Sequence, residues 1–260
     1  MIAASSLGNP GSANAKRVSQ PEAIKYVFDK FLQRRIGLIS RLLRRDPHSL
    51  DAIALTMTWL SALAKYCYPV LNEESSAEAF CRLLSDFGLN FEERICIPRL
   101  LRSTKPIREL WGFRRKLSQR YRLEGYYVVR EIDLDPNLSD FKAFLRKAGY
   151  KRRPRAMKPA TFAQLEASVR KSRYSYILYD DYRCSVLHEA RIAHGREPFR
   201  LYIPGTQMYY ENQGDESPTR PEEYTWLFAS PEYLFKTLKH VRKKLRAWSL
   251  KFKRNIFEES

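Results

Sequence analysis

The chain has 260 residues, 44% of them apolar, and its 47 lysines and arginines against 29 acidic residues give a net charge of +18. No apolar run approaches the ~20 residues that span a bilayer, and residues 1–20 lack the basic-then-apolar order of a secretory signal. We therefore expect a soluble, cytoplasmic protein without a membrane segment. A single domain over 21–260 is predicted to follow a disordered lead, residues 1–20. The charge predicts a polyanionic partner, namely nucleic acid, with an acidic protein or an anionic membrane surface as alternatives.

Two helices are predicted at the start of the domain. Apolar residues at helical spacing predict the first over 21–45, and it should end before Pro47. Ser49 is predicted to cap the second, which runs to Tyr68 and is apolar on nearly all sides. Such a helix belongs at the centre of a bundle.

The apolar spacing and the helix-end signals predict three shorter helices next. The first starts at Ser75 or Ser76 and is stopped by Gly88. The second covers about 106–121, and the third covers 138–148 and ends at a glycine. Together these segments predict a mainly α-helical fold.

The next helix is predicted over 161–193, opening with a capping box at Thr161-x-x-Gln164 and bending near 172–175. The aromatic and β-branched segments 199–203 and 207–211 flank Pro-Gly-Thr and predict a small β-hairpin. The whole chain is therefore expected to be an antiparallel α-helical bundle with a small β-hairpin insertion.

The last helix is predicted over about 231–256. It has one narrow apolar face, for which core packing is the default interpretation and a partner helix the alternative. That face carries Leu234, Leu238, Val241, Leu245, Trp248 and Phe252.

Basic residues form two clusters, one in the loop around 151–158 and one on the last helix. Such clusters favour phosphate contact with strong salt dependence, although a solvated basic face is the alternative. The residues predicted to bind nucleic acid are Lys151, Arg152, Arg153, Arg155, Lys239, Arg242, Lys243, Lys244 and Arg246.

The four cysteines predict neither a disulfide framework nor a metal site. Cys67, Cys81 and Cys96 have no Cys-x-x-Cys partner, and Cys184 with His188 supplies too few ligands for zinc. No phosphate-binding Gly-rich loop, nucleophile elbow or kinase motif is present. We therefore expect reduced thiols, no metal and no cofactor.

The pair Arg183 and His188 is the candidate catalytic site. An arginine stays charged and can hold a phosphate, whereas a histidine can move a proton near neutral pH. Both lie in the predicted helix, about 140° and ~7.5 Å apart on α-helical geometry. A second Arg-to-His match, Arg41 to His48, crosses Pro47, where a helix should stop.

The alternative is that this pair is structural. His188 would then be a hydrogen-bonded helix residue, and Arg183 would pair with Asp180 or with Glu189 on a neighbouring turn.

The stretch Tyr-Arg-Cys-Ser-Val-Leu-His-Glu, after an apolar and aromatic helical run, resembles the Arg-(four to six residues)-His signature of the HEPN superfamily. This resemblance implies a dimeric helical bundle and a metal-independent endoribonuclease, with roles in toxin, antiphage or RNA-processing systems. It implies that His188 transfers a proton during attack of the ribose 2′-hydroxyl and that Arg183 stabilises the phosphate. Cys184 stands where active members often have a polar residue such as Asn.

The resemblance also bears on partners. Family toxins that pair with a nucleotidyltransferase antitoxin carry a Tyr two positions after the His, and Ala190 stands there in this chain. An antitoxin of that type is therefore not expected. The predicted partners are RNA and a second copy of the chain. The alternatives are a non-catalytic nucleic-acid-binding protein and a scaffold for an acidic protein.

Overall fold

The computed structural model describes residues 20–47, 49–68, 73–89, 91–121, 135–184, 208–212 and 225–252. These ranges are mainly α-helical, which confirms the predicted fold class, and they also contain a two-stranded antiparallel sheet. Their buried apolar side chains form a cluster that extends from the first helix to the last. No helix within these ranges combines the length and the apolar composition that crossing a bilayer requires.

The first element is a helical rod in three parts. Helix α1 (Gln20–Lys25), a π-helical stretch (Tyr26–Phe31) and α2 (Leu32–Arg45) follow one another directly. The predicted helix over 21–45 is thus present. Its buried side chains recur every three or four positions, as an apolar face requires. They are Ile24, Phe28, Leu32, Ile36 and Ile39.

Helix α3 (Leu50–Cys67) lies at the centre of the fold, as predicted. Ser49 caps it, because its Oγ accepts a hydrogen bond from the backbone N of Ala52 at 3.2 Å. The helix contacts α2, the following helix α4 (Glu73–Phe87) and the C-terminal helix (Pro231–Phe252). Contacts on several sides explain why its composition is apolar nearly all round.

Gly88 ends α4 for a steric reason. A Cβ at this position would lie 2.4 Å from the carbonyl oxygen of Leu84 and 2.8 Å from the Cβ of Phe91. Only glycine therefore fits the turn. The end of α4 was predicted, and its start lies two residues before the earlier of the two predicted starts.

Two short helices follow. Helix α5 (Ile97–Thr104) was not predicted. The guanidinium of Arg102, in this helix, lies 3.7 Å from the ring centroid of Trp226. A 3₁₀ turn (Arg108–Leu110) leads into α6 (Trp111–Arg120), within the range predicted for a helix.

Helix α7 (Leu138–Lys147) matches its prediction. Asn137 caps it through Oδ1, which accepts a hydrogen bond from the backbone N of Asp140 at 2.8 Å. Gly149, at φ 87°, then turns the chain out of the helix in the left-handed region that favours glycine.

Helix α8 (Pro159–Lys171) differs from the prediction at its start. It begins two residues before Thr161, because proline is favoured in the first helical turn. Thr161 therefore lies inside the helix, and its hydroxyl donates to the carboxylate of Glu109 instead of capping. The helix ends where the bend was predicted, at residues 172–173.

The chain then continues as α9 (Tyr174–Ile177) and a π-helical turn (Leu178–Cys184). Residues 185–193 of the predicted helix, which include His188, lie outside the described residues.

The sheet joins β1 (Met208–Asn212) to β2 (Thr225–Ala229), with Tyr210 opposite Leu227. The strand predicted over 207–211 is thus present. Its observed partner, β2, was not predicted, and the predicted partner, 199–203, lies outside the described residues.

Helix α10 (Pro231–Phe252) follows β2 directly, and residues 253–256 of its prediction lie outside the described residues. Four side chains of its apolar face, at positions 234, 238, 241 and 245, are buried. The helix packs against α3 and α4, so this face belongs to the core of the chain.

Candidate functional site

The segment that carries Arg183 is held to an extended stretch around residue 95. Ile95 forms an antiparallel bridge with Arg173, and the backbone N of Cys96 donates to the carbonyl of Ser172 at 2.8 Å. The backbone N of Tyr174 donates in turn to the carbonyl of Arg94 at 3.0 Å. These bonds fix the point from which α9 starts.

Glu93 caps α9 from outside the helix. Its Oε1 accepts the backbone N–H of Ser175 at 3.1 Å, and its Oε2 accepts the Ser175 hydroxyl at 2.5 Å. The same carboxylate accepts a hydrogen bond from Nη2 of Arg173 at 2.9 Å. A carboxylate at a helix N-terminus offsets the partial positive charge of the exposed N–H groups.

A second carboxylate, Asp135, is buried beside this helix and joins three elements. Its Oδ2 accepts the hydroxyl of Tyr174 at 2.7 Å and also that of Tyr210 on β1, while its Oδ1 accepts the backbone N–H of Ile97 at 3.1 Å. Burial, together with the Asp135 charge, raises the pKa of Tyr174 well above its usual value. Both tyrosine hydroxyls therefore stay protonated and donate hydrogen bonds to the buried carboxylate of Asp135.

Arg99 of α5 forms salt bridges with both aspartates that precede Arg183 in sequence. Its Nη1 lies 2.6 Å from Oδ2 of Asp181 and its Nη2 lies 2.7 Å from Oδ2 of Asp180. Burial is the largest single influence and lowers the pKa of Arg99, but the charges of Asp181 and Asp180 and the hydrogen bond to Asp181 together outweigh it, so the pKa is raised. Arg183 is therefore not paired with Asp180, which was one form of the structural alternative; the other form, pairing with Glu189, lies outside the described residues.

Arg183 itself has no carboxylate partner within the described residues. Its guanidinium carbon lies 5.3 Å from the ring centroid of Tyr179, and Nη1 lies 3.7 Å from Sγ of Cys184. Its Nε is buried without a hydrogen-bond partner in that part of the chain. A half-buried guanidinium with unused donors is suited to an anion from outside the chain.

His188, the second predicted catalytic residue, lies outside the described residues, as do Glu189 and Ala190. The meeting of Arg183 and His188 therefore stays a prediction. Of the interval from Arg183 to His188, only Arg183 and Cys184 belong to the described residues, and both lie at the end of a π-helical turn. π-Helical turns inside helices are frequent at functional sites.

The predicted nucleic-acid-binding residues of the loop, Lys151, Arg152, Arg153 and Arg155, are all exposed. Arg153 also shapes the loop, because its Nη1 donates to the carbonyl of Met157 at 2.8 Å.

The basic residues of α10 divide into two kinds. Arg242 donates from Nε to the carbonyl of Phe28 at 2.7 Å, and Arg246 binds both carboxylate oxygens of Asp29 at 2.8 and 2.7 Å. The hydrogen bond from Arg246 lowers the pKa of Asp29. These two arginines therefore tie α10 to the N-terminal rod, a role that sequence analysis missed. Lys243 and Lys244, in contrast, are exposed.

A basic groove of about 600 Å³ lies between α2 and α10. We call it the α2/α10 groove, and none of the described residues that line it is acidic. Its cations are Arg44, Lys239, Arg242, Lys243 and Arg246, and its uncharged polar residues include Gln33 and Ser40. Arg44 comes from a helix that the sequence did not connect with this cluster, whereas the predicted Lys244 lies outside the groove.

The cysteines are free thiols. Burial raises the pKa of Cys67, Cys81 and Cys96 to about 12, so these three stay protonated near neutral pH and are poor nucleophiles. Among the described residues, no group of three or more His, Cys, Asp or Glu side chains is placed to hold a metal ion.

Comparison with known proteins gives no relative for this chain, because no family model, no curated protein and no solved structure matches it. The site is therefore interpreted from its own geometry.

Proposed function

We propose that the chain is a metal-independent endoribonuclease of HEPN type, in which Arg183 holds the scissile phosphate and His188 moves the proton. The observation that supports this most is the state of Arg183. Its guanidinium has no carboxylate partner in the described part of the chain, although two aspartates directly precede Tyr182 and Arg183 in sequence. An arginine that only stabilised the fold would be expected to use one of them.

The reaction follows from the two side chains. The ribose 2′-oxygen attacks the neighbouring phosphorus while His188 accepts its proton, and the bond from phosphorus to the 5′-oxygen breaks as that oxygen takes a proton from water. The products are a 2′,3′-cyclic phosphate and a 5′-hydroxyl end. Arg183 offsets the extra negative charge on the phosphorus oxygens, since its guanidinium stays protonated throughout.

A second copy of the chain is part of this proposal. Arg183 and His188 from each protomer of a homodimer would line a shared cleft. The net charge of +18 supports attraction of RNA to such a cleft. Toxin or antiphage activity is the biological role that fits a metal-independent RNA endonuclease.

The test is cleavage of an end-labelled single-stranded RNA in EDTA. Arg183→Ala should slow cleavage by about 10²-fold or more, because it removes charge stabilisation of the transition state. Arg183→Lys should recover only part of the rate, since lysine keeps the charge but loses the two-pronged hydrogen bonding. Products should carry cyclic phosphate ends.

Arg41→Ala is the matched control, because Arg41 begins the other Arg-to-His match of this sequence and is exposed. It should cut at the wild-type rate. Cleavage by Arg183→Ala at that same rate would remove Arg183 from the site.

A second candidate function, non-catalytic nucleic-acid binding, is favoured by the α2/α10 groove. Five cations line it and none of the described lining residues is acidic. Arg242 and Arg246 already bind Asp29, which leaves Arg44, Lys239 and Lys243 for a phosphate backbone. Under this alternative, RNA binding survives Arg183→Ala combined with His188→Ala. It weakens on Lys239→Glu combined with Lys243→Glu, and no cleavage is seen in EDTA.

A further inference from the structure

A second groove, between α7 and α8, differs from the basic groove in chemistry. Its volume is about 530 Å³. We call it the α7/α8 groove, and its floor is apolar. The floor consists of Leu138, Phe141, Leu145, Tyr150, Phe162, Leu165 and Val169.

One aromatic residue of α7, Phe144, packs away from the groove, whereas Phe141 belongs to the floor. Phe144 lies 6.4 Å from Phe113 of α6 and 5.8 Å from Tyr121, between ring centroids. Tyr150, after the helix, packs edge-on against Phe113 at 5.1 Å. Leu145 of α7 and Phe162 of α8, which line the groove, are only half-buried.

The rim of the groove is positively charged. Lys142, Arg146 and Lys151 are exposed and have no ion pair or hydrogen bond within the described residues. Arg173, at one end, is already paired with Glu93. Glu166 is the one acidic residue among the described lining residues.

We propose that the α7/α8 groove docks an amphipathic acidic helix of a partner protein. Aliphatic and aromatic side chains of that helix would lie on the apolar floor, and its carboxylates would meet Lys142, Arg146 and Lys151. Helix-in-groove recognition uses this combination of an apolar stripe and flanking charge. The ten residues of α7 span ~15 Å, which corresponds to about three turns of a docked helix.

The floor fits a protein better than it fits RNA. Bases need free aromatic faces for stacking and polar groups that read their edges. Four of the seven floor residues are aliphatic, and the ring of Phe141 is fully buried. The ring of Tyr150 already contacts Phe113 and lies 5.6 Å from Nζ of Lys116, which leaves Phe162 as the half-buried aromatic ring of the floor. The cationic rim then selects an acidic helix over a basic one. This inference does not depend on the proposed nuclease activity.

The experiment uses the full chain and a fluorescein-labelled 18-residue peptide built from Leu, Phe, Ala and Glu. In the peptide, Leu and Phe recur at i, i+3, i+4 and i+7, and Glu occupies the flanks. Fluorescence anisotropy should show saturable binding to the wild type. Lys142→Glu combined with Arg146→Glu should weaken it by about tenfold or more, which corresponds to about 1.4 kcal/mol.

The matched control is Arg41→Glu combined with Lys65→Glu, which makes the same change in net charge at exposed positions elsewhere. It should bind the peptide within about twofold of wild type, since rim contacts are local. Phe162→Ala, checked for folding by circular dichroism, should also lose about tenfold by removing part of the floor. A peptide of the same composition with its apolar residues scrambled should bind at least ten times more weakly.

The proposal is overturned if the peptide does not bind the wild type, or if the rim and control variants bind it equally. It is also overturned if single-stranded RNA displaces the peptide from wild type and from the control variant alike, which would assign the groove to RNA. The groove could instead be covered by a second copy or by another segment of this chain. Peptide binding that falls as the protein concentration rises would show the first, and no peptide binding at any concentration would show the second. Either result overturns the proposal.

Discussion

Two arginines beside the same π-helical turn have opposite surroundings. Arg99 binds Asp180 and Asp181 with both ends of its guanidinium, and its side chain is only 16% exposed. Arg183 lies on that turn, yet its guanidinium has no carboxylate partner among the described residues and lies against the ring of Tyr179 and Sγ of Cys184. The charge of Arg99 is neutralised by carboxylates of the fold, whereas the charge of Arg183 is not.

Removal of Arg99 should have the largest effect on stability. Arg99→Ala removes the salt bridge to the buried Asp181 and should lower the free energy of unfolding by about 3 kcal/mol. Arg183→Ala loses mainly the contact with Tyr179 and should cost at most about 1 kcal/mol. Urea denaturation followed by circular dichroism measures both. Equal losses from the two variants would show that Arg183 also stabilises the fold.

The buried carboxylate Asp135 allows the next comparison, between two tyrosines of one helix. Tyr174→Phe removes a hydrogen bond to this charged group and should lower the free energy of unfolding by about 1.5–3 kcal/mol. Tyr176 is half-buried, and its hydroxyl makes no hydrogen bond within the described residues. Tyr176→Phe should therefore stay within about 0.5 kcal/mol of wild type.

The same denaturation curves serve as the measurement. A loss as large for Tyr176→Phe as for Tyr174→Phe would mean that Asp135 is not the anchor of this region.

A smaller effect is expected where α10 meets the N-terminal rod. The hydrogen bond from Arg246 lowers the pKa of Asp29, so the contribution of Asp29 to stability is fully present above its unfolded pKa of about 3.9. It is lost as pH falls through the lower folded pKa. Because Asp29 is exposed, the contribution should be at most about 1 kcal/mol.

Asp29→Asn tests this by its pH dependence. The difference in unfolding free energy between wild type and variant should be constant between about pH 6 and pH 8 and shrink below about pH 4. A difference that does not change with pH would assign the effect to packing instead of charge.

Local sequence signals predicted much of the fold. Ser49 and the apolar run after it identified α3, and Gly88 identified the end of α4. Helix α5 was missed because its eight residues give only a short apolar pattern, although Pro98 in its first turn is a helix-start signal. Strand β2 has the same length as β1, but it lacks the adjacent Pro-Gly-Thr turn that drew attention to β1.

The site was less accessible to sequence analysis. Residue type and helical context were enough to predict Arg183 and the exposed lysines and arginines as candidate site residues. The pairing of Arg99 with Asp181 joins residues 82 positions apart, and no local pattern encodes it. The acid next in sequence to an arginine is therefore a poor guide to its partner. Likewise, the tie from Arg242 and Arg246 to the rod depends on how distant helices pack.

The most direct test of the central claim is RNA cleavage in EDTA by wild type and by His188→Ala, prepared identically and matched in stability. The wild type should leave 2′,3′-cyclic phosphate ends, and His188→Ala should cut at least about 10²-fold more slowly, because it lacks the group that moves the proton. Cleavage of RNA at equal rates by the two proteins, or no cleavage by the wild type, would contradict the account.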